Sequence, residues 1–262
     1  MVKALGITLG LVAGLLSGCS SMVMLREVAS SDPVASWRRV LQRFVDEQGR
    51  IDFVGLSHDM SDLETYVSYL SQTGPGSSPA LYVDAHARLA FDINAYNAVA
   101  MYNVVHFNIP KDHNSFFKRL RFFNLTHYSI AGREMSLEAF EKDMIRPMGD
   151  PRSHLALNTM ARSSPRLPRE PFTGQGLEGQ LENQGREFFN DEKNVVVDPD
   201  RQIVRLSELM KFYRDEFLTK SPSLIAFVNT YRKVKIPENY KVEFLDFDWT
   251  INGQSAPAVT VK

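Results

Sequence analysis

The chain has 262 residues, with 30 Lys and Arg against 31 Asp and Glu, so its formal net charge is −1. Balanced charge excludes a dedicated nucleic-acid binder, which needs clustered Lys and Arg to neutralise phosphates. A hydrophobic content of 44% with 17 Phe excludes a disordered chain, and a single cysteine excludes an internal disulfide or a cysteine zinc cage.

In chain order, Met-Val-Lys3 is a short positive start. The apolar run Ala4 to Leu16 that follows has the length of a signal-peptide core and is too short to span a bilayer. Met22 to Pro33 reads as a tether. Trp37, Val40, Leu41, Phe44 and Val45 then recur at helical spacing within Val34 to Gln48, as do Leu63, Tyr66, Val67 and Leu70 within Ser61 to Ser71. Thr73 to Pro79 is a Gly/Pro/Ser break, and Ala80 to Phe107 is apolar nearly all round, the signature of a buried central helix. His127 to Ile130 and Arg133 to Met135, around Ala131-Gly132, predict a hairpin, and Ser136 to Arg146 a helix stopped before Pro147. Leu177 to Phe189 predicts another helix. Asn194 to Asp198 and Arg201 to Leu206 predict a second hairpin. Ser207 to Leu218 and Ser221 to Lys233 read as helices, the latter with a Ser cap and Pro222 at its first position, and Val242 to Phe247 as a late strand. Helices and hairpins interleave without regular alternation, so the expected fold is a single α+β domain over residues 34–262. A long buried central helix and further helices would pack on short antiparallel strands.

The apolar start ends Leu16-Ser17-Gly18-Cys19, which resembles the bacterial lipobox. That resemblance implies removal of residues 1–18 and lipidation of Cys19, including palmitate-type acyl chains, with residues 19–33 as a lipid-anchored tether. Several acyl chains at about 0.8 kcal/mol per buried methylene make a stable anchor. Ser20 and Ser21 follow the cysteine, and by known sorting rules the absence of Asp there favours the outer membrane, with the domain facing the periplasm.

Four segments carry a family resemblance: Leu89-Ala-Phe-Asp-Ile-Asn94-Ala-Tyr96-Asn97-Ala98; Gly132 to Arg146; Asp150-Pro-Arg152-Ser-His154 through Asn158 and Thr159 to Pro165; and Asp246-Phe-Asp248-Trp249-Thr-Ile-Asn252. In order and spacing they resemble the bacterial envelope family called domain of unknown function 547, over roughly Trp37 to Asn252. Members of that family usually carry a cysteine where this chain has Thr159, often a second where it has Ser164, and often Trp where it has Asp92. The resemblance therefore implies that any thiol chemistry of the family is lost here. A hydroxyl does not replace a thiolate without a strong base alongside.

The residue types leave two readings of the candidate site. Asn94, Tyr96 and Asn97 on the apolar helix either line a ligand cleft or form a structural network, since unpaired buried polar groups cost about 1–3 kcal/mol each. Glu141 and Arg146, five apart, miss the helical i,i+4 spacing; Arg146 or Arg152 would pair instead with Asp92, Asp150 or Glu141, to hold an anion or simply the fold. If residues 154–159 are extended, His154 and Asn158 share one face and Thr159 the other, so His154 does not serve Thr159 as a base. A turn after Asn158 would bring Ser163 or Ser164 back towards the imidazole. Asp246, Asp248, Thr250 and Asn252 alternate as one polar strand face with Phe247 and Trp249 opposite, and lack the Gly and Glu of a calcium loop. Phe116 to Phe123 mixes aromatic and basic residues and either touches anionic lipid or buries its aromatics.

The first functional expectation is a non-catalytic or catalytically lapsed envelope lipoprotein that binds a small-molecule, peptide or glycan ligand or an envelope protein. Its cleft would be lined by Asn94, Tyr96, Asn97, Glu141, Arg152, His154 and Asn158. The alternative is a hydrolase or acyltransferase with Thr159, Ser163 or Ser164 as nucleophile and His154 or another histidine as base. Neither reading calls for a cofactor, a metal or nucleic acid.

Overall fold

The periodic apolar positions become helices that bury one stripe each. The computed structural model describes residues 21–22 and 33–254. The signal segment 1–18, Cys19 and most of the tether lie outside the described residues. Helix α1 (Pro33–Phe44) buries Trp37, Val40, Leu41 and Phe44, and α3 (Ser61–Gln72) buries Leu63, Tyr66, Val67 and Leu70 against it. Trp37 stacks on Tyr66 with ring centroids 5.6 Å apart. Between them a short α2 (Phe53–His58) starts where the Asp52 carboxylate accepts the Gly55 N–H.

The central helix α4 runs from Ala85 to His106, later than Ala80, because the Asp84 carboxylate caps it by accepting the Ala87 N–H at 2.7 Å. Pro79–Leu81 forms a separate 3₁₀ turn ahead of that cap. From Leu89 to Val104 every side chain of α4 is buried, as a central helix requires.

The first sheet has β1 (Ser21–Met22) parallel to β2 (Thr126–Ile130), which pairs antiparallel with β3 (Arg133–Met135). The hairpin turn is Ala131 at φ 52° and Gly132 at φ 75°. Two left-handed residues give the turn whose twist matches that of the strands. Ahead of β2, α5 (Phe116–Leu120) runs into a π-helical turn over Arg121–Leu125.

The single helix expected over Ser136 to Arg146 is instead three pieces. Helix α6 (Leu137–Phe140) leads into a π-helical turn over Glu141–Ile145 and a 3₁₀ turn over Arg146–Met148, closed by Gly149 in the left-handed conformation. Pro147 blocks any α-helical continuation. The wider turn puts the Arg146 N–H on the Glu141 carbonyl, so two residues five apart meet, contrary to the α-helical expectation. Residues Pro151–Leu155 form another 3₁₀ turn, not an extended segment.

The second sheet joins β4 (Val195–Asp198) antiparallel to β5 (Ile203–Ser207), which pairs parallel with β6 (Lys241–Leu245). Helix α7 (Leu177–Asn190) precedes it. The helix expected over Ser207 to Leu218 breaks at Tyr213 into α8 (Leu209–Phe212) and α9 (Arg214–Leu218). Helix α10 (Leu224–Tyr231) starts later than expected, because Ser223 and not Ser221 caps it, its hydroxyl accepting the Ala226 N–H at 2.9 Å. Gly185 of α7 lets α10 approach, since a Cβ there would lie 2.6 Å from the Tyr231 ring.

After β6 the chain is an irregular strap to Gln254, not a continued strand. Single bridges tie Thr250 to Asp112, Ile251 to Ala161 and Gly253 to Ile51. The alternating polar groups bind backbone: Asp248 Oδ1 accepts the Thr250 N–H at 2.9 Å and Asn252 donates to the Gly49 carbonyl at 2.9 Å. These elements make a single α+β domain with two apolar cores. One is built on α1, α3, α4, β2 and β3, the other on α8, α9, α10, β4 and β5. Helix α7 spans both, with Leu177 and Leu181 in the first core and Phe188 and Phe189 in the second.

One residue of α4 works against the core. Asp92 is buried, its Oδ1 has no hydrogen-bond partner among the described residues, and burial pushes its carboxyl up to about 7. Unfolded, it titrates near 3.8, so between those values the folded chain holds the extra proton and stability falls as pH rises; above about 7 the loss is complete. Asp92→Asn is therefore expected to raise the melting temperature at about pH 8 by at least about 3 °C, and by less at about pH 5. Scanning calorimetry at the two pH values checks this; an equal change at both contradicts it.

Candidate functional site

A cavity of about 140 Å³ lies where the two cores meet. Tyr96 of α4 and Leu157 reach it from the first core, and Leu209 and Phe247 from the second. Tyr213, Phe212, Phe123 and Trp249 complete an aromatic wall, with Phe247 and Trp249 4.4 Å apart between ring centroids. The polar groups on its surface are Glu138, Glu141, His154, Thr159, Ser164 and Arg119.

His154 sits at the end of the 3₁₀ turn with its ring fully buried. Its Nε2 lies 2.7 Å from Glu216 Oε2, and Glu216 in turn accepts from Arg146 Nε at 2.7 Å. A carboxylate only accepts, so the proton of the neutral ring is on Nε2 and Nδ1 carries the lone pair. Nδ1 has no hydrogen-bond partner among the described residues; Glu141 Oε1 is 3.6 Å away. Tyr213, at the break between α8 and α9, stacks on the imidazole at 3.6 Å with planes 12° apart, and its hydroxyl donates to Glu141.

The electrostatics follow from burial. Desolvation lowers the His154 pKa below its ordinary value, opposed by the Glu216 carboxylate, so the ring is held neutral. Desolvation pushes Glu141 up to about 7, opposed by the Tyr213 hydroxyl. The π-helical turn begins at Glu141 and delivers Arg146 to the same side, where it pairs with Glu216 and not with Glu141.

The loop from Ala156 to Pro165 is positioned by two buried amides. The Asn158 N–H donates to Asn97 Oδ1 at 2.8 Å, and Asn97 Nδ2 donates to the Ala156 carbonyl at 2.9 Å. Asn158 then spans its own loop, donating to the Pro165 carbonyl at 2.7 Å and accepting the Met160 N–H at 2.7 Å. That geometry holds the buried Met160 at φ 63°, a left-handed conformation that costs a residue with a Cβ. The reversal brings the hydroxyls of Thr159 and Ser164 to 2.7 Å from each other.

Of the residues expected in a cleft, Tyr96, Glu141 and His154 line the cavity together. Asn97 and Asn158 lie behind it as the loop's supports. Asn94 does not reach it: its amide donates to the Phe172 carbonyl at 2.8 Å and accepts from Trp37 Nε1 at 3.2 Å, joining α4 to α1 and the 167–172 segment. Arg152 is elsewhere too, paired with Asp150 at 2.7 Å and Glu178 at 2.6 Å. Among the candidate nucleophiles, Thr159 and Ser164 line the cavity, whereas the Ser163 hydroxyl accepts the Asp248 N–H at 2.8 Å. None of the three hydroxyls hydrogen-bonds His154, and His154 is the only one of the six histidines on the cavity wall. Sequence reasoning missed Glu216 and Tyr213. Their one shared signal is spacing: residues three apart around a helix end present neighbouring side chains.

Residues 82–189 match the family model described as "Protein of unknown function, DUF547". That stretch is similar to the DUF547 family. Three of the four resembling segments fall inside the DUF547 match, and Asp246 to Asn252 falls beyond it. The match supplies Glu141, His154, Thr159 and Ser164, while Glu216, Tyr213, Phe247 and Trp249, which complete the site around them, come from the chain that follows. No curated protein and no solved structure matches this chain.

Replacing Glu216 by Gln removes the charge that favours the imidazolium while leaving the ring buried. The His154 pKa is expected to fall further below 6.5, with the Nε2–H tautomer dominant at neutral pH in the parent chain. A ¹⁵N-detected NMR titration of the histidines reads both; an unchanged or raised His154 pKa contradicts the assignment.

Proposed function

We propose that this is a lipid-anchored protein of the bacterial outer membrane, facing the periplasm, whose DUF547 cleft binds an envelope ligand without covalent chemistry. The observation that carries the reading is the Thr159–Ser164 pair. The two hydroxyls that stand where the resemblance places family cysteines bond to each other at 2.7 Å, and neither is hydrogen-bonded to the His154 imidazole. A hydroxyl with no base on it is a poor nucleophile at neutral pH. The anchor is supported by Leu16-Ser17-Gly18-Cys19 and by the cysteine being unique in the chain.

The cleft's chemistry defines the ligand class. His154 Nδ1 is a buried acceptor with no partner, so it favours a ligand that donates a hydroxyl or amide hydrogen. Glu141, at about 7, exchanges between donor and acceptor near neutral pH and tolerates either partner. Phe247, Trp249 and Phe123 offer flat apolar faces on which a ring can lie. A sugar ring of an envelope glycan supplies both the donor hydroxyls and the apolar C–H face.

Trp37 is in the core, so fluorescence changes on ligand addition report on Trp249. Titration with soluble glycan fragments released from purified envelopes is expected to change that emission saturably. His154→Phe, which keeps the stack on Tyr213 but removes the acceptor, is expected to weaken binding at least about tenfold, or about 1.4 kcal/mol. Equal affinity in the variant contradicts the assigned role of His154, and no saturable change in the parent chain contradicts the glycan reading.

A further inference from the structure

The aromatic and basic segment ahead of β2 divides its side chains between two environments. Phe122 is buried against His113, with ring centroids 4.2 Å apart, and Phe123 lines the cleft. Phe116 and Phe117 point the other way: they are 66% and 78% exposed and pack edge to face at 5.7 Å. Leu125, at the far end of the π-helical turn, is 49% exposed. Phe117, Arg121 and Leu125 follow one another at four-residue intervals, and all three are exposed. Half of the segment's phenylalanines thus serve the core and half face outward.

The charge of this region is one-sided. From Lys111 to His127 the chain has four Lys and Arg, at 111, 118, 119 and 121, against one acidic residue, Asp112. Asp112 is paired with Lys118 at 2.8 Å. Arg121 lies over the Phe107 ring at 4.0 Å and, like Lys111, has no carboxylate partner among the described residues. A chain of net charge −1 therefore presents a locally positive, aromatic face.

The N-terminal chain meets the fold beside this face. Strand β1 places Ser21 opposite Thr126 and Met22 opposite His127, in parallel. The first described residue, Ser21, therefore lies beside Thr126, the residue that follows Leu125. Cys19 is two residues upstream, so covalent length keeps it within about 7 Å of Ser21. A lipid on Cys19 would thus be tethered within two residues of the end of β2 that follows Leu125.

We propose that Phe116, Phe117 and Leu125, flanked by Lys118 and Arg121, form a docking face for an anionic phospholipid surface. The aromatic rings enter the boundary between headgroups and acyl chains and the basic residues meet lipid phosphates. The orientation of the face rests on the lipid-anchor reading above; the affinity of the face for lipid does not. In this arrangement the anchor and the face act as two signals on one membrane, and the short tether raises the local concentration of lipid at the face.

The test uses the mature chain from residue 19, which contains every described residue, with Cys19→Ser so that no lipid is attached. Co-sedimentation with phosphatidylglycerol/phosphatidylethanolamine vesicles is compared with pure phosphatidylcholine vesicles. The expected result is partition onto the anionic vesicles that weakens with added salt. Phe116→Ser/Phe117→Ser, two exposed positions whose change spares the core, should reduce that partition at least tenfold. Absence of binding to anionic vesicles overturns the proposal, as does equal binding by the double variant. Binding that ignores lipid charge overturns the role of Lys118 and Arg121. Mass spectrometry of the Cys19 peptide from the native chain tests the anchor separately, so an unlipidated Cys19 would sink that reading while leaving the vesicle result to judge the face.

Discussion

The pairing of Asn97 with Asn158 is the constraint on which the site depends. A side-chain amide on the buried stretch of α4 replaces the partners that the Ala156–Asn158 backbone would otherwise find in water or in a strand. Asn158 passes the constraint on by bracing Met160 and Pro165. Each of these groups is buried, so leaving one unpaired costs about 1–3 kcal/mol, and four such bonds in series hold one loop conformation. That conformation includes a strained Met160, and the strap of the C-terminal segment locks it when the Asn252 N–H donates to the Met160 carbonyl at 2.8 Å. In that conformation the Thr159 and Ser164 hydroxyls meet.

On the opposite wall the governing quantity is desolvation. Arg146, Glu216, His154, Glu141 and Tyr213 form a continuous polar chain across a low-dielectric gap between two apolar cores. The positive charge is placed at the outer end, where Arg146 is exposed, while burial holds His154 neutral and pushes the Glu141 carboxyl up to about 7. An uncharged imidazole beside a carboxyl that can be protonated at neutral pH is well suited to recognise hydrogen-bond donors and poorly suited to hold an anion. The π-helical turn at Glu141 is what makes this wall compact, because it brings residues five apart in sequence to the same point.

Much of the frame was legible in the sequence. Helices α1, α3 and α7 follow from apolar residues at three- and four-residue spacing, and the Ala131-Gly132 hairpin from a turn that needs left-handed residues. The central helix was legible from its nearly all-round apolar surface, but the expectation began it at Ala80 because the Asp84 cap went unread. The π-helical turns were not legible, because nothing in local propensity separates them from α-helix; tertiary contacts at Glu141 and Arg121 select them. The same limit applies to the site. Tyr96, Glu141 and His154 line one cavity, but Asn94 and Arg152 carry equally suggestive side chains and serve the frame instead. Glu216 and Tyr213 sit in a helical segment broken at Tyr213, some sixty residues after His154. Only the packing of the second core brings them to the imidazole, and no spacing rule reaches across that separation.

The account stands most directly on the claim that the Thr159–Ser164 hydroxyl pair is not a nucleophile. Intact-mass measurement of the purified mature chain after exposure to a serine-directed fluorophosphonate tests it. The predicted result is an unchanged mass, because neither hydroxyl is hydrogen-bonded to His154. A covalent adduct mapped to Ser164 or Thr159, and lost in His154→Phe, would contradict the binding account and establish an imidazole-activated hydrolase or acyltransferase in its place.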